Sequence, residues 1–475
     1  MNIKKFTIGL LFAFGLFSVN CFAQGYQIKV TVHGVPKDSM CRLANYFGDK
    51  QYLQDSALAD SRSTVIFQGE HPLPGGIYLF VLPDHKYFEM VIDKEQNFSM
   101  ETDTADYVKN MKVKDSKDNF LFYEYLNFIG KKTKEMEPLK AEYDQAKSDK
   151  AKKEIQKKMD EVNKAVVDMK TKFMTDNPDA FMTKVFKTSQ EVEVPDPPKN
   201  ADGTIDSTFQ YRYYKAHFFD NVDMTDDRML RTPVLFNKIE QYMKKLTMQI
   251  PDSVNVAADY VAELARPNSE VFKFVVWWIT NTYETSTIMG MDAVFVHMTE
   301  KYYTADQAFW VDSTGLAKIQ ARAKTLKPLL IGQKAKNLVL QDTSGVYRSL
   351  YDVKSPFTIL IFWDPDCGHC QKSMPKLKEL YDKYKAKGVE VYAVDDAVEE
   401  AKWKKYIVEH NLNWINVADL QTHNNFRHDY DLTSTPQIFL LDETKTIAAK
   451  RIDVETLENI LKFKIDERSK AIGKK

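Results

Sequence analysis

The stretch FWDPDCGHCQKSMPKL, Phe362–Leu377, contains two of the four cysteines of the chain, Cys367 and Cys370. The apolar run PFTILIFW ends just before them and an amphipathic run follows, which predicts a buried strand that leads into a helix. Unpaired N–H groups and the positive dipole end at a helix start favour a thiolate over a thiol. We therefore expect Cys367 to be the nucleophile and Cys370, in the first helical turn, to be the more enclosed resolving thiol. Positive charge on His369 would stabilise the thiolate further.

The cysteine pair could also belong to a metal site, a haem attachment site or a structural disulfide. A structural zinc site usually needs a second pair of ligands, and downstream only His410, His423 and His428 could supply them. Covalent haem attachment would require histidine directly after the second cysteine, where this chain has Gln371. A structural disulfide is the remaining alternative, although a two-residue gap at a strand-to-helix turn is a strained place for one. The sequence favours a redox pair and no metal.

The chain from about residue 329 to 475 alternates between strand and helix patterns. Buried strands are predicted at PFTILIFW and VEVYAVD, with a helix between them that ends at Gly388. This alternation is typical of parallel strands joined by helical crossovers. The last two strands, QIFLLD and TIAAKRI, are separated only by ETK and are expected to form an antiparallel hairpin at one edge.

These residues resemble the thioredoxin fold, specifically the exported thioredoxin-like proteins related to cytochrome-maturation thiol reductases. The CGHC motif after FW matches their active site, and its inner pair Gly368-His369 is the dipeptide seen in disulfide isomerases. Pro375 matches the proline that kinks their active-site helix. The segment TSTPQIFLLD is similar to the one that carries their cis-proline, which implies that Thr435 and Pro436 align the substrate backbone beside the nucleophile.

The chain departs from this family at two acidic positions. Thioredoxins have a buried acid where this chain has Ile361, and the cytochrome-maturation relatives have a glutamate where it has Ser373. In the family both acids assist proton transfer from the resolving thiol. Asp364 and Asp366 are candidates for that proton relay, although aspartates are also common in loops for conformational reasons.

The rest of the chain predicts two further domains. Residues 24–110 contain short alternating runs separated by Gly, Pro and Asp, which predict an antiparallel β-sandwich with Cys41 as a buried residue on a strand. Residues 111–328 have helical spacing, including a long charged stretch expected to form an exposed helical hairpin or a short coiled coil. A proline-rich linker near residues 193–205 interrupts them. Both regions resemble extensions, without an assigned function, of thioredoxin-like proteins of the bacterial envelope.

The first residues predict export. Two lysines, an apolar run and a small-residue end are typical of a secretory signal peptide, residues 1–23, cut after Ala23. A lipid anchor on Cys21 is the alternative, and its flanking residues match lipidation poorly. No later run is long and apolar enough for a membrane span. We expect the mature protein in the periplasm or cell envelope of a Gram-negative bacterium.

The charge balance of the chain limits the kinds of partner that we expect it to bind. With 66 Lys+Arg against 67 Asp+Glu, the chain has no basic excess to favour nucleic acid. The sequence therefore predicts an exported thiol-disulfide oxidoreductase that uses no cofactor and exchanges with protein thiols, protein disulfides and a redox partner protein, in a direction left open. The alternative is an envelope binding or scaffold protein whose N-terminal domains capture a partner.

Overall fold

The computed structural model describes residues 25–199, 202–396, 399–421 and 424–472. The predicted signal peptide (residues 1–23), the anchor candidate Cys21 and the candidate ligand His423 lie outside these ranges.

The strands, in chain order, are β1 (Tyr26–His33), β2 (Met40–Phe47), β3 (Lys50–Leu58), β4 (Thr64–Gly69), β5 (Gly76–Val81), β6 (Tyr87–Ile92), β7 (Asn97–Asp103), β8 (Lys112–Lys114), β9 (Val339–Asp342), β10 (Tyr347–Ser349), β11 (Phe357–Trp363), β12 (Val389–Asp395), β13 (Ile415–Ala418), β14 (Gln437–Asp442) and β15 (Ile447–Lys450). The helices are α1 (Lys117–Gln145), α2 (Asp149–Asp176), α3 (Phe181–Thr188), α4 (Phe209–Ala216), α5 (Pro233–Lys244), α6 (Pro251–Ala265), α7 (Ser269–Glu284), α8 (Asp292–Tyr302), α9 (Ser313–Leu326), α10 (Gly368–Tyr384), α11 (Glu400–Glu409), α12 (Phe426–Asp429) and α13 (Val454–Ile472).

These elements form two compact units, divided between Asn237 and Lys238 inside α5. The order of element types confirms the predicted fold class: two β-sheets come first, a helical region follows, and an α/β thioredoxin-like sheet ends the chain. The three predicted domains, residues 24–110, 111–328 and 329–475, were defined by the type of secondary structure, whereas the two units are defined by contacts. The domain limits therefore stay a prediction.

The first unit contains two four-stranded sheets, ordered β4-β1-β7-β8 and β3-β2-β5-β6. Alternate residues of β1, among them Ile28 and Val30, are fully buried. The rings of Phe67 and Phe80, one from each sheet, lie 5.9 Å apart and connect the two layers. Cys41 is fully buried in β2, as expected.

One pairing in these sheets differs from the expectation of purely antiparallel strands. β1 pairs with β7 in parallel, with Ile28 opposite Phe98. Parallel neighbours need a long crossover rather than a tight turn. Here the chain between them supplies β2, β3, β5 and β6 to the other sheet and β4 to the far side of β1. The alternation of residues within each strand does not show which strands become neighbours or in which direction they pair.

Helix α1 begins by covering an edge strand. The side-chain amide of Asn119 accepts a hydrogen bond from the Val91 N–H at 2.8 Å and donates one to the Val91 carbonyl at 2.7 Å. It thereby takes the place of a neighbouring strand along β6, which satisfies backbone groups that an edge leaves open. From there α1 and α2 form the expected exposed helical hairpin, and the proline-rich stretch lies between α3 and α4.

The second unit joins α6–α9 to a seven-stranded sheet, ordered β10-β9-β13-β12-β11-β14-β15. β11 runs parallel to β12, and β12 to β13, as the alternation of strands and helices predicts. β14 and β15 are antiparallel, which confirms the edge hairpin. All seven residues of β11 are buried, because the sheet is covered on both faces.

The two faces of β11 contact different clusters. Ile359 and Trp363 face residues of α10 and α13, in the cluster that also contains Cys370. Leu360 and Phe362 face the opposite cluster, where Phe426 stacks on Phe362 with ring centroids 5.6 Å apart. Packing on both faces of β11 therefore fixes the backbone that leads into the cysteine pair.

Candidate active site

Cys367 lies at the point where the chain leaves β11 and starts α10. It is the N-cap residue of α10, and its carbonyl accepts the first helical hydrogen bond from the Gln371 N–H at 3.0 Å. Its own N–H donates to the Asp364 carbonyl at 3.1 Å, which closes the turn after the strand. The Cys367 side chain is partly exposed, and Gly368 and His369 are exposed. A disulfide substrate can therefore reach this sulfur from solvent.

The surroundings of Cys367 favour its thiolate. Burial acts to raise the pKa of the thiol, but hydrogen bonds from neighbouring groups outweigh it, so the pKa is lowered. These bonds come from the backbone N–H of Cys370, the side chain of Thr435, the backbone N–H of His369 and the side chain of Cys370. Two of the four are helix-start N–H groups, the source of stabilisation expected at this position.

Cys370 has the opposite environment. It is fully buried in the cluster that contains Trp363 and Trp403, and burial, the largest effect, raises the pKa of its thiol to about 12. The Asp364 N–H donates to its Sγ at 3.5 Å, which opposes that rise. One cysteine is therefore accessible with a lowered pKa, and the other is enclosed and protonated at neutral pH.

Thr435 and Pro436 lie opposite the cysteines, and the peptide bond between them is cis. The register of β14 against β11 explains their position, because Phe362 pairs with Gln437 and the next residues back along the chain reach the active-site turn. The Cys367 thiol donates to the Thr435 carbonyl oxygen at 3.4 Å. Residues far apart in sequence thus meet at one sulfur.

The two candidate relay acids have other contacts. The Asp366 N–H donates to the Asp364 carboxylate at 2.7 Å, a local turn contact. The Asp366 carboxylate forms an ion pair with Lys402 at 2.9 Å. Their assignment to proton transfer stays a prediction. Ile361, at the position of the thioredoxin acid, is fully buried between Ala393 and Ile438 of the neighbouring strands.

A different acid beside this turn was not singled out from the sequence. The Asp396 N–H donates to the Trp363 carbonyl at 2.7 Å, so Asp396 lies next to the end of β11. Its carboxylate is 2.8 Å from Arg427 Nε. Burial raises the pKa of the Asp396 carboxyl, Arg427 opposes the rise and the charge of Asp364 adds to it. Only the pairing of β11 with β12 brings these residues together, so no local signal reveals it.

Tyr406 of α11 was also missed. Its ring packs 5.2 Å from that of Trp363, and burial together with the charge of Cys370 raises the pKa of its hydroxyl. The spacing from Trp403 marks an apolar helix face, which predicts packing but not proximity to the resolving cysteine.

The metal alternative depends on a cluster of ligand side chains. Within the described residues, no group of three or more His, Cys, Asp or Glu side chains could hold a metal ion. His410 stacks on Tyr406 with ring centroids 3.9 Å apart, and His428 Nδ1 is 3.6 Å from the Asp429 carboxylate. Among the described helices, none is both long and apolar enough to cross a membrane.

Two family models match the chain. Residues 331–450 match the AhpC/TSA family. Residues 143–327, which include most of the helical region, match a domain of unknown function, DUF5106. The first match covers the sheet, the cysteine pair and the cis-proline of the site described above.

Known proteins resemble the same C-terminal segment. The thiol-disulfide oxidoreductase ResA of a Bacillus cereus strain is 34% identical over 130 residues, 27% of this chain and 74% of that protein. ResA of Geobacillus kaustophilus is 31% identical over 134 residues, 28% of this chain and 76% of that protein. A solved domain of a possible thiol-disulfide isomerase from Cytophaga hutchinsonii is 43% identical and covers 31% of this chain and 99% of that domain, with a TM-score of 0.28.

The fold, the cysteine pair and the two ResA relatives define a thioredoxin-like thiol-disulfide oxidoreductase. Through this C-terminal segment the chain belongs to the ResA family of these enzymes. The resemblance inferred from CGHC and the downstream STPQ is thereby confirmed.

Proposed function

We propose that this chain is an exported oxidoreductase that exchanges disulfides with protein substrates through Cys367 and Cys370. The observation that carries the proposal is the contrast between the two thiols. The pKa of the accessible Cys367 is lowered, whereas that of the fully buried Cys370 is raised to about 12. Such a pair suits one attacking and one resolving cysteine.

The reaction runs in two displacements. The Cys367 thiolate attacks one sulfur of the substrate disulfide, a mixed disulfide forms, and the other substrate sulfur leaves as a thiolate that takes up a proton. Cys370 then loses its proton and attacks Cys367 Sγ. The Cys367–Cys370 disulfide forms and the second substrate thiol is released. Two electrons pass from the pair to the substrate, and a redox partner protein restores the dithiol. No cofactor is consumed.

Thr435 and Pro436 serve to align the substrate backbone in this proposal. The Thr435 carbonyl is already in contact with Cys367 Sγ, so a peptide lying along this segment would present its sulfur to the nucleophile. Gly368 and His369 tune the pair, and their exposure leaves room for a protein-sized substrate.

The direction of net transfer is measurable. Run in reverse, the same steps oxidise a substrate dithiol. A reduction potential of about −270 mV for the pair would support reduction of substrates, and one of about −120 mV would support oxidation. Equilibration with glutathione buffers of known ratio, followed by mass spectrometry, gives the value.

Export to the periplasm or cell envelope of a Gram-negative bacterium is part of the proposal. Its support is the N-terminal pattern of lysines, apolar run and small residues. Mass spectrometry of the N-terminal peptide from fractionated cells distinguishes a start at Gln24 from a lipidated Cys21. An uncut N-terminus in the cytoplasmic fraction would contradict export.

Insulin disulfide reduction by the mature protein, beside Cys367→Ser, tests the exchange activity. We expect the wild type to reduce insulin and Cys367→Ser to lose that activity. If the wild type is no faster than the variant, exchange with protein disulfides is wrong. The binding or scaffold alternative would then take its place.

A further inference from the structure

Asp431 connects three parts of the second unit through one carboxylate. It forms ion pairs with Arg322 of α9 and with Arg451, the residue after β15. Its side chain is only 9% exposed, whereas those of Arg322 and Arg451 are 33% and 39% exposed, so the carboxylate end of each contact is shielded from solvent. The largest influence on the pKa of this carboxyl is burial, which would raise it, yet the two arginines lower the pKa below its usual range. Such shielded, charge-assisted bonds fix geometry better than surface pairs do.

Asp431 stands at the start of the segment that carries the cis-proline, here called the alignment loop, residues 431–436. Its φ of 47° lies in the left-handed region, so the chain turns sharply there. The far end is held by Gln437, whose side-chain amide donates to the Tyr430 carbonyl at 2.9 Å. Between these anchors lies the Thr435 carbonyl that contacts Cys367 Sγ. Movement of Asp431 would therefore move the surface on which a substrate lies.

A second buried ion pair lies next to the contacts of Asp431. Lys450 forms a buried ion pair with Asp292, in the first turn of α8, and donates to the Leu329 carbonyl at 2.7 Å. Its side chain is 4% exposed. Consecutive residues, Lys450 and Arg451, thus connect the edge of the sheet to α8 and, through Asp431, to α9. The helices before residue 329 hold the sheet at two buried points.

We propose that Arg322 is a positioning residue of the redox site, through which the helical region sets the geometry of the alignment loop. Arg322 lies within the segment that matches DUF5106, and Asp431 within the segment that matches AhpC/TSA. The inference rests on the proposed exchange with protein disulfides and gives the helical region a part in it. Arg322 touches no reacting atom, and its effect passes through Asp431 to Thr435.

The alignment loop should matter only for substrates that have a peptide backbone. We compare second-order rates of oxidation of the reduced full-length protein by insulin and by 2-hydroxyethyl disulfide, which has no backbone to align. The variants are Arg322→Gln, the charge-retaining Arg322→Lys, and the control Lys318→Gln. Lys318 is exposed, on the same helix and one turn earlier, and its substitution changes the net charge equally.

We expect Arg322→Gln to react with insulin about 10-fold more slowly, because small displacements of a substrate-positioning group are costly to the rate. Its rate with 2-hydroxyethyl disulfide should stay within about twofold of the wild type, since Cys367 remains at its helix start. Arg322→Lys should recover much of the insulin rate, and Lys318→Gln should match the wild type with both probes.

Two results would overturn the inference. One is an Arg322→Gln insulin rate equal to that of the wild type. The other is an equal loss with both disulfides in an Arg322→Gln protein whose circular dichroism and melting temperature match the wild type. If Arg322→Gln folds poorly by these measurements, Arg322→Lys decides by its ratio of the two rates. A wild type that reacts with the small disulfide but not with insulin would instead contradict the proposed function.

Discussion

The sulfur of Cys367 lies 3.4 Å from the carbonyl oxygen of Thr435, a residue 68 positions further along the chain. Pairing of β14 with β11 creates this contact beside the start of α10. The pKa of Cys367 is lowered there, and Cys370 behind it is buried.

The first prediction concerns the pH dependence of alkylation. Because the pKa of Cys367 is lowered, its thiolate persists to lower pH than that of an ordinary cysteine. The iodoacetamide rate at Cys367 should fall with decreasing pH around a midpoint below that of Cys367 in the denatured chain, while Cys370 should stay unmodified through neutral pH. Peptide mapping by mass spectrometry measures both sites. A Cys367 midpoint at or above that of the denatured chain would contradict the account.

Thr435 should contribute to that midpoint. Its side-chain hydrogen bond is one of the contacts that lower the pKa of Cys367. Thr435→Val removes the hydroxyl at nearly constant volume and should raise the midpoint by up to about one pH unit, as expected for one hydrogen bond of about 1 kcal/mol. Thr433→Val, at an exposed position in the same loop, is the matched control and should leave it unchanged. An equal shift in both variants would rule out the Thr435 contact as the cause.

Asp396 should affect the second displacement rather than the first. Its carboxyl has a raised pKa beside the active-site turn, in a chain that lacks the family acids at Ile361 and Ser373. We expect Asp396→Asn to slow release of the mixed disulfide by about 100-fold, the lower end of the range for proton-transfer assistance.

The Asp396 measurement separates the two steps. Quenched-flow mass spectrometry follows formation and decay of the mixed disulfide with a peptide disulfide. Glu409→Gln, on the exposed face of α11, is the control. Slower formation with unchanged decay in Asp396→Asn would argue against this role.

Restoring the thioredoxin acid should destabilise this protein. Ile361 is fully buried, so Ile361→Asp removes apolar volume and inserts a carboxyl between apolar strands, at a loss of more than about 3 kcal/mol. Burial would raise the pKa of that new carboxyl in the folded state. The loss should therefore be smallest below about pH 3.9 and grow as pH rises through that value.

Thermal melts at several pH values test this prediction. Ile361→Val is the control and should lose only about 0.5–1.5 kcal/mol at every pH. An Ile361→Asp protein as stable as Ile361→Val near neutral pH would show that the strand tolerates the family acid.

Much of the site was predictable because its signals are local. The apolar run before the cysteines, the helix start at Cys367 and the X-Pro before a strand are each written in a few adjacent residues. The expectation that the X-Pro segment lies opposite the cysteines came from the family resemblance. The contrast in exposure between Cys367 and Cys370 follows from their places in the first helical turn.

Other features needed contacts that no local pattern contains. The parallel pairing of β1 with β7 depends on where the intervening strands go. Asp396 reaches the active-site turn only through the register of β12 against β11. The ion pair of Arg322 with Asp431 joins residues 109 positions apart, each of which resembles an ordinary surface charge in sequence.

Trapping of the mixed disulfide tests the central claim most directly. Cys370→Ser, incubated with a peptide disulfide and analysed by mass spectrometry, should accumulate a covalent peptide adduct on Cys367. The reciprocal variant Cys367→Ser should accumulate none at Cys370, because that thiol is buried with a pKa of about 12. An adduct on Cys370 in Cys367→Ser, or no adduct on Cys367 in Cys370→Ser, would contradict the assignment of the attacking and resolving cysteines.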